Sequence, residues 1–102
     1  MNRAVPYKNI LLESLKNPVQ AAAYLKSVAE DGDIYFLLKA LRNVVEAQGG
    51  FTKLARKTKL NRGHLYKALS KRGNPEITTL ESILNVFGLQ IGFLPLQHRK
   101  DA

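Results

Sequence analysis

Between Phe51 and Arg72 the chain carries eight cationic side chains, Lys53, Arg56, Lys57, Lys59, Arg62, Lys67, Lys71 and Arg72, and no acidic one. Cations at that density, without carboxylates to pair them, suit the neutralisation of backbone phosphates on a nucleic acid. A solvated face that only keeps the chain in solution is the alternative, although such faces usually interleave both signs of charge. The remaining inventory for chemistry is thin. Cysteine is absent, which removes disulfides, thiolate zinc ligands and cysteine nucleophiles together. His64 and His98 are the only histidines, they fall in different elements, and no paired carboxylate accompanies either. A metal site or a nucleophilic triad therefore lacks parts. The expectation is a binding protein, not an enzyme, with no cofactor and no metal.

The 102 residues carry a formal charge of +8 and a pI near 10.0. Residues 1–50 hold 6 Lys/Arg against 5 Asp/Glu, whereas residues 51–102 hold 10 against 3, so the basicity belongs to the second half. Hydrophobic residues at 45% and charged residues at 24% fit one ordinary globular domain. No apolar run approaches the roughly 20 residues of a bilayer crossing. The N-terminus lacks the apolar core of a secretory signal. A cytoplasmic location without a membrane partner is the expectation.

The elements that must position the cations read as helices. Leu11, Leu12 and Leu15 suit a short helix over residues 7–16, one that persists only by packing on something else. Asn17-Pro18 is a cap followed by proline at the first helical position, which starts a second helix running to about Glu30 on an apolar face of Ala21, Tyr24, Leu25 and Val28. Asp31-Gly32-Asp33 ends it and caps a third, Ile34 to Gln48, with a stripe of Ile34, Leu37, Leu38, Leu41 and Val45 and with Lys39, Arg42, Asn43 and Glu46 on the opposite face. Gly49-Gly50 breaks that helix. Short helices follow from about Thr52 to Thr58 and, with Asn61 as cap, to about Ser70. After a Gly-Asn-Pro loop, Thr78 and Glu81 have the spacing of a capping box before a last helix carrying Leu80, Ile83, Leu84 and Phe87, which Gly88 ends. Leu89, Ile91 and Phe93 alternate with Gln90 and Gly92 and predict a short strand, one that could pair across a two-fold axis. The expected fold is all-α, five to six helices and a short C-terminal strand. It divides into an N-terminal helical segment over 1–32 packed on the domain, the domain proper over 33–96, and a loose tail over 97–102.

Two short helices separated by a tight turn at Lys59-Leu60 have the organisation of a helix-turn-helix, with Leu54, Leu60, Leu65 and Leu69 sharing one small core. The second helix then presents its outward residues to the major groove. Arg62, Gly63 and Lys67 are the candidates for base contacts: Arg62 can pair both donors with guanine, and Gly63 lets the helix sit close. Thr52, Lys53, Asn61, His64, Tyr66, Lys71 and Arg72 are placed for phosphates, which position the protein without reading sequence. His64 is as readily an inert surface residue. The other aromatics fit core or helix-entry positions better than base stacking.

The run LARKTKLNRGHLYKALSKRGNPEITTLESILNVFGLQI resembles the lambda-repressor/Cro-like helix-turn-helix superfamily. Together with NPVQAAAYLKSVAEDGD it looks like the branch of probable addiction-module antidotes, HigA-like antitoxins of type II toxin-antitoxin pairs. The similarity covers roughly Leu11 to Gly92, and its most specific parts are LYKALS, GNP followed by T-x-x-x-x-L, and the helix ending in GL. The resemblance implies an all-helical DNA-binding fold, autorepression of an operon by a homodimer on double-stranded operator DNA, and neutralisation of a RelE/ParE-like toxin protein. One departure stands out: the turn often has glycine where this chain has Lys59, and a positive φ there costs on the order of 1 kcal/mol.

A prophage-type repressor with the same DNA chemistry and no toxin partner is the close alternative. An mRNA-cleaving RelE-like toxin, also small and basic, is a third, but such toxins are rich in strands and this chain is helix-periodic. Within residues 1–32, Leu11, Leu12, Leu15 and Tyr24 are candidate toxin contacts, because two short helices carry more apolar surface than they can bury on each other. These residues could equally cover the back of the third helix.

Overall fold

The structure, a computed structural model, describes residues 7–96. The expected tail over 97–102, and His98 with it, lies outside the described residues. Six helices follow in order: α1 (Tyr7–Ser14), α2 (Pro18–Asp31), α3 (Ile34–Ala47), α4 (Gly50–Thr58), α5 (Arg62–Ala68) and α6 (Ile77–Val86). α3 packs against α1, α2 and α4, and α4 in turn packs against α5 and α6.

Local chemistry sets most of the boundaries. The Asn17 carboxamide accepts from the backbone N–H groups of Val19 and Gln20 at 2.8 and 3.2 Å, with Pro18 opening α2 as its missing N–H allows. Gly32 closes α2 at φ +82°, and the Asp33 carboxylate accepts from the Tyr35 N–H at 2.9 Å to open α3. Gly49 and Gly50, at φ +111° and +91°, turn the chain into α4.

The core is one cluster. Leu15, Ala21 and Leu25 from the N-terminal helices join Leu38, Leu41, Val44 and Val45 of α3, Leu54 of α4, Leu65 and Leu69 around α5, and Ile83 and Phe87 around α6. Polar bonds fasten the N-terminal helices to α3. Asn43 Nδ2 donates to the Tyr24 hydroxyl at 2.9 Å, Gln48 Nε2 donates to the Leu15 carbonyl at 3.2 Å, and Lys8 pairs with Glu46 at 3.3 Å.

Three expectations are corrected. No strand forms among the described residues; residues 89–96 are irregular. The Leu89 N–H donates to the Leu84 carbonyl at 2.8 Å and the Gly88 N–H to Asn85 at 3.0 Å, with Gly88 at φ +82°, so the residue that was to begin the strand closes α6 in a Schellman motif. A ladder also needs a neighbouring strand. Next, Thr78 and Glu81 make no capping box. α6 starts two residues earlier, with Glu76 as its cap and no side-chain bond to it, so Thr78 already lies inside the first turn; Thr79, Ile83 and Phe87 share the buried face. Finally, Ile34 leaves the α3 stripe. It is 59% exposed, and burial on α3 is complete only from Leu38 onward.

Candidate nucleic-acid interface

The two short helices and their turn are held by contacts that begin in the sequence. Leu54, Leu65 and Leu69 are buried, and Leu60 and Ala55 pack beside them half-buried. Lys59 sits at φ +63°, ψ +24°, the left-handed region, and its N–H donates to the Ala55 carbonyl at 2.8 Å to close α4. Thr58 fixes the same corner: its hydroxyl donates to the Leu54 carbonyl at 2.9 Å and accepts from the Leu60 N–H at 3.2 Å. Asn61 Oδ1 then accepts from the His64 N–H at 2.9 Å, capping α5 as its sequence position predicts.

α5 is anchored at its far end by a residue of the polar face of α3. The Arg42 guanidinium donates to the Leu69 carbonyl, one of the acceptors left over where a helix ends. Gly73 completes the exit. A Cβ on it would stand 2.0 Å from the Ala68 carbonyl oxygen, so only glycine lets the loop fold back on the end of α5.

All ten residues assigned to bases or phosphates, Thr52, Lys53, Asn61, Arg62, Gly63, His64, Tyr66, Lys67, Lys71 and Arg72, are exposed. They do not share one line. With Leu65, Ala68 and Leu69 buried, a helical step of about 100° puts Gly63 and Lys67 outermost, Arg62 and Tyr66 on one flank, and His64 on the other. The Arg62 flank faces the start of α4: Arg62 Nε donates to the Thr52 hydroxyl at 3.0 Å, and the Tyr66 ring meets Phe51 edge-on at 5.2 Å. Arg62 is thus held by Nε while its two terminal nitrogens stay available. Gly63 has a local reason as well, since a Cβ there would approach Asn61 Oδ1 to 3.2 Å and crowd the cap.

Beyond Tyr66 and Phe51 an open cleft of about 370 Å³ continues onto α3 and α1, lined by Lys8, Lys39, Arg42 and Glu46 among others. Lys39 therefore stands near the interface although it lies outside the cationic stretch. The sequence signal for it was its place with Arg42 on the outer face of α3. Of the four residues assigned to a toxin, Leu15 is core at 1% exposure and so serves folding, a correction to that assignment, while Leu11, Leu12 and Tyr24 are half-buried. Among the described residues no group of His, Asp and Glu side chains could hold a metal ion. No helix described is long and apolar enough to cross a membrane.

Residues 9–95 match a family model described as "Probable addiction module antidote protein". A protein of Haemophilus influenzae that carries the name "Uncharacterized protein" is 31% identical over 78 residues, covering 76% of this chain and 79% of the other. No solved structure matches the chain significantly.

Proposed function

The chain belongs to the probable addiction module antidote family, and from that membership we propose that it is a HigA-like antitoxin that represses its own operon and neutralises a RelE/ParE-like toxin. The observation that carries the DNA half is the α4–turn–α5 unit: an acid-free stretch of eight cations, spread over two short helices, the turn between them and the loop that follows, whose assigned residues are all exposed. In this reading the unit is a lambda-repressor-like helix-turn-helix, and α5 enters the major groove. Arg62, Gly63 and Lys67 meet the base edges. The Thr52 bond to Nε leaves the forked end of Arg62 for guanine O6 and N7. Thr52, Lys53, Asn61, His64, Tyr66, Lys71 and Arg72 hold phosphates on either side. The protein acts in the cytoplasm as a homodimer on a palindromic operator, and it performs no catalysis.

A sheet-based ribonuclease reading finds no strand to build on among the described residues. Titration of the chain with a duplex from its own upstream region, across a salt series, tests the proposal. Two protomers that each neutralise about four phosphates give a slope of log K against log salt near −0.9 times 8, roughly −7. A slope near zero, or a preference for single-stranded RNA, would sink the DNA reading.

A further inference from the structure

Three consecutive large apolar residues open α3 and stand in water: Ile34, Tyr35 and Phe36 are 59%, 53% and 60% exposed. Three successive positions sweep about 200° of a helix, so the first turn projects from the fold on all sides but the one where Leu37 packs on the core. Single exposed apolar side chains are ordinary, but a contiguous aromatic patch marks a contact surface. Beside it opens a hollow of about 80 Å³ lined by Ala29, Gly32, Asp33, Ile34 and Leu37, with room for one aliphatic side chain.

The charge at this corner has the opposite sign to the rest of the protein. Glu30, Asp31 and Asp33 supply three of the chain's 8 acidic groups, and no Lys or Arg occurs from residue 27 to residue 38. Asp33 has a structural use as the α3 cap. Glu30 and Asp31 have none in the helix that carries them, because they lie at the C-terminal end of α2, where the helix dipole favours cations. A nucleic acid is repelled here and a basic protein surface is attracted.

We propose that this corner, the end of α2 and the first turn of α3, docks the toxin, which presents a basic surface bearing an apolar side chain. The proposal rests on the antitoxin reading and names its surface. It replaces the core residue Leu15 with residues that a partner can reach. The corner also precedes the DNA-facing unit along α3, with Lys39 between the two. Ile34 lies eight residues before Arg42, the α3 residue that touches the end of α5, or about 12 Å along the axis.

The experiment co-expresses the chain with the product of the adjacent small reading frame and measures growth rescue and affinity. Variants Tyr35→Ser/Phe36→Ser and Glu30→Lys/Asp31→Lys are compared with the original chain. The aromatic pair should weaken toxin binding at least about 30-fold, as loss of central aromatic anchors does. Charge reversal should weaken it about 10-fold at low salt, mostly through association rate, and should raise the melting temperature because the dipole now meets cations. Operator binding should stay within about 2-fold for both. Full neutralisation by both variants overturns the docking surface. Should the aromatic pair melt early, the charge pair decides alone, since Glu30 and Asp31 are exposed. A chain that neutralises nothing even in its original form overturns the antitoxin reading itself, and the proposal with it.

Discussion

α3 and the α4–α5 pair use their residues in opposite ways. α3 buries Leu38, Ala40, Leu41, Val44 and Val45 within 14 residues, whereas α4 and α5 together bury only Leu54, Leu65 and Ala68 and expose every cation they carry. Helices of nine and seven residues do not persist alone in water. They borrow their order from the long helix, through the leucines that enter its core and through Arg42 on the Leu69 carbonyl. A substitution that faces α3 should therefore act on stability, and one that faces away should act on binding with little effect on stability.

Leu65→Ala attacks the shared side of that divide and should have the largest effect. Leu65 is 0% exposed in the cluster that ties α5 to α3. Its loss should cost about 3 kcal/mol in urea unfolding, within the range for buried leucines truncated to alanine. Operator binding should fail along with the fold. A midpoint unchanged within error would show that α5 does not depend on the core, and the division of labour would collapse.

Arg62 and Lys53 then separate two kinds of exposed cation. Arg62→Ala should cost about 1 to 3 kcal/mol on the operator and relax preference at one base pair per half-site, while Lys53→Ala should weaken operator and random duplex alike. Neither should move the urea midpoint appreciably, since both side chains are exposed. Competition binding with operator and scrambled duplexes reads the difference. Equal losses on both from Arg62→Ala would move the reading surface away from α5.

What the sequence made legible divides along the same line of local against distant. Asn17, Asp33 and Asn61 cap the helices as their positions predict, because a cap is settled within three residues. The leucines of the α4–turn–α5 core were readable because helical periodicity sorts inward from outward. Arg42 was not, since its partner carbonyl lies 27 residues away and its own neighbours mark only a polar face. Thr78 failed for a related reason. The capping-box spacing is present, but α6 extends back to Ile77 and takes Thr78 into its first turn, where it is no longer the residue before the helix. In the same way Ile34 fits the α3 stripe by spacing, yet it lies in the turn that projects past the packed part of that helix. The ten residues assigned to DNA were found by charge and position, but their split into two flanks needed the Thr52–Arg62 and Phe51–Tyr66 contacts.

Lys59 stands at the seam between the two regions, and its substitution should have the smallest effect and separate them most finely. It is the non-glycine residue with positive φ in the described chain, at +63°, where a side chain costs on the order of 1 to 2 kcal/mol that glycine avoids. Lys59→Gly recovers that strain but lets the unfolded chain wander more, which takes back roughly 0.5 to 1 kcal/mol. The net should be a gain of about 0.5 kcal/mol, or roughly 2 to 4 °C in melting temperature for a domain of this size. The turn itself should persist, because the bond from the residue 59 N–H to the Ala55 carbonyl belongs to the backbone. Lys59 is exposed at the mouth of the cationic unit, so the same variant, which removes one cation from each of two protomers, should lower the magnitude of the operator salt slope by about 2. A gain in stability paired with that loss in slope would mean that the turn tolerates strain to keep a phosphate contact. A gain in stability with the slope unchanged would place Lys59 outside the DNA footprint and leave the binding face to α5, the start of α4 and the loop at Lys71-Arg72.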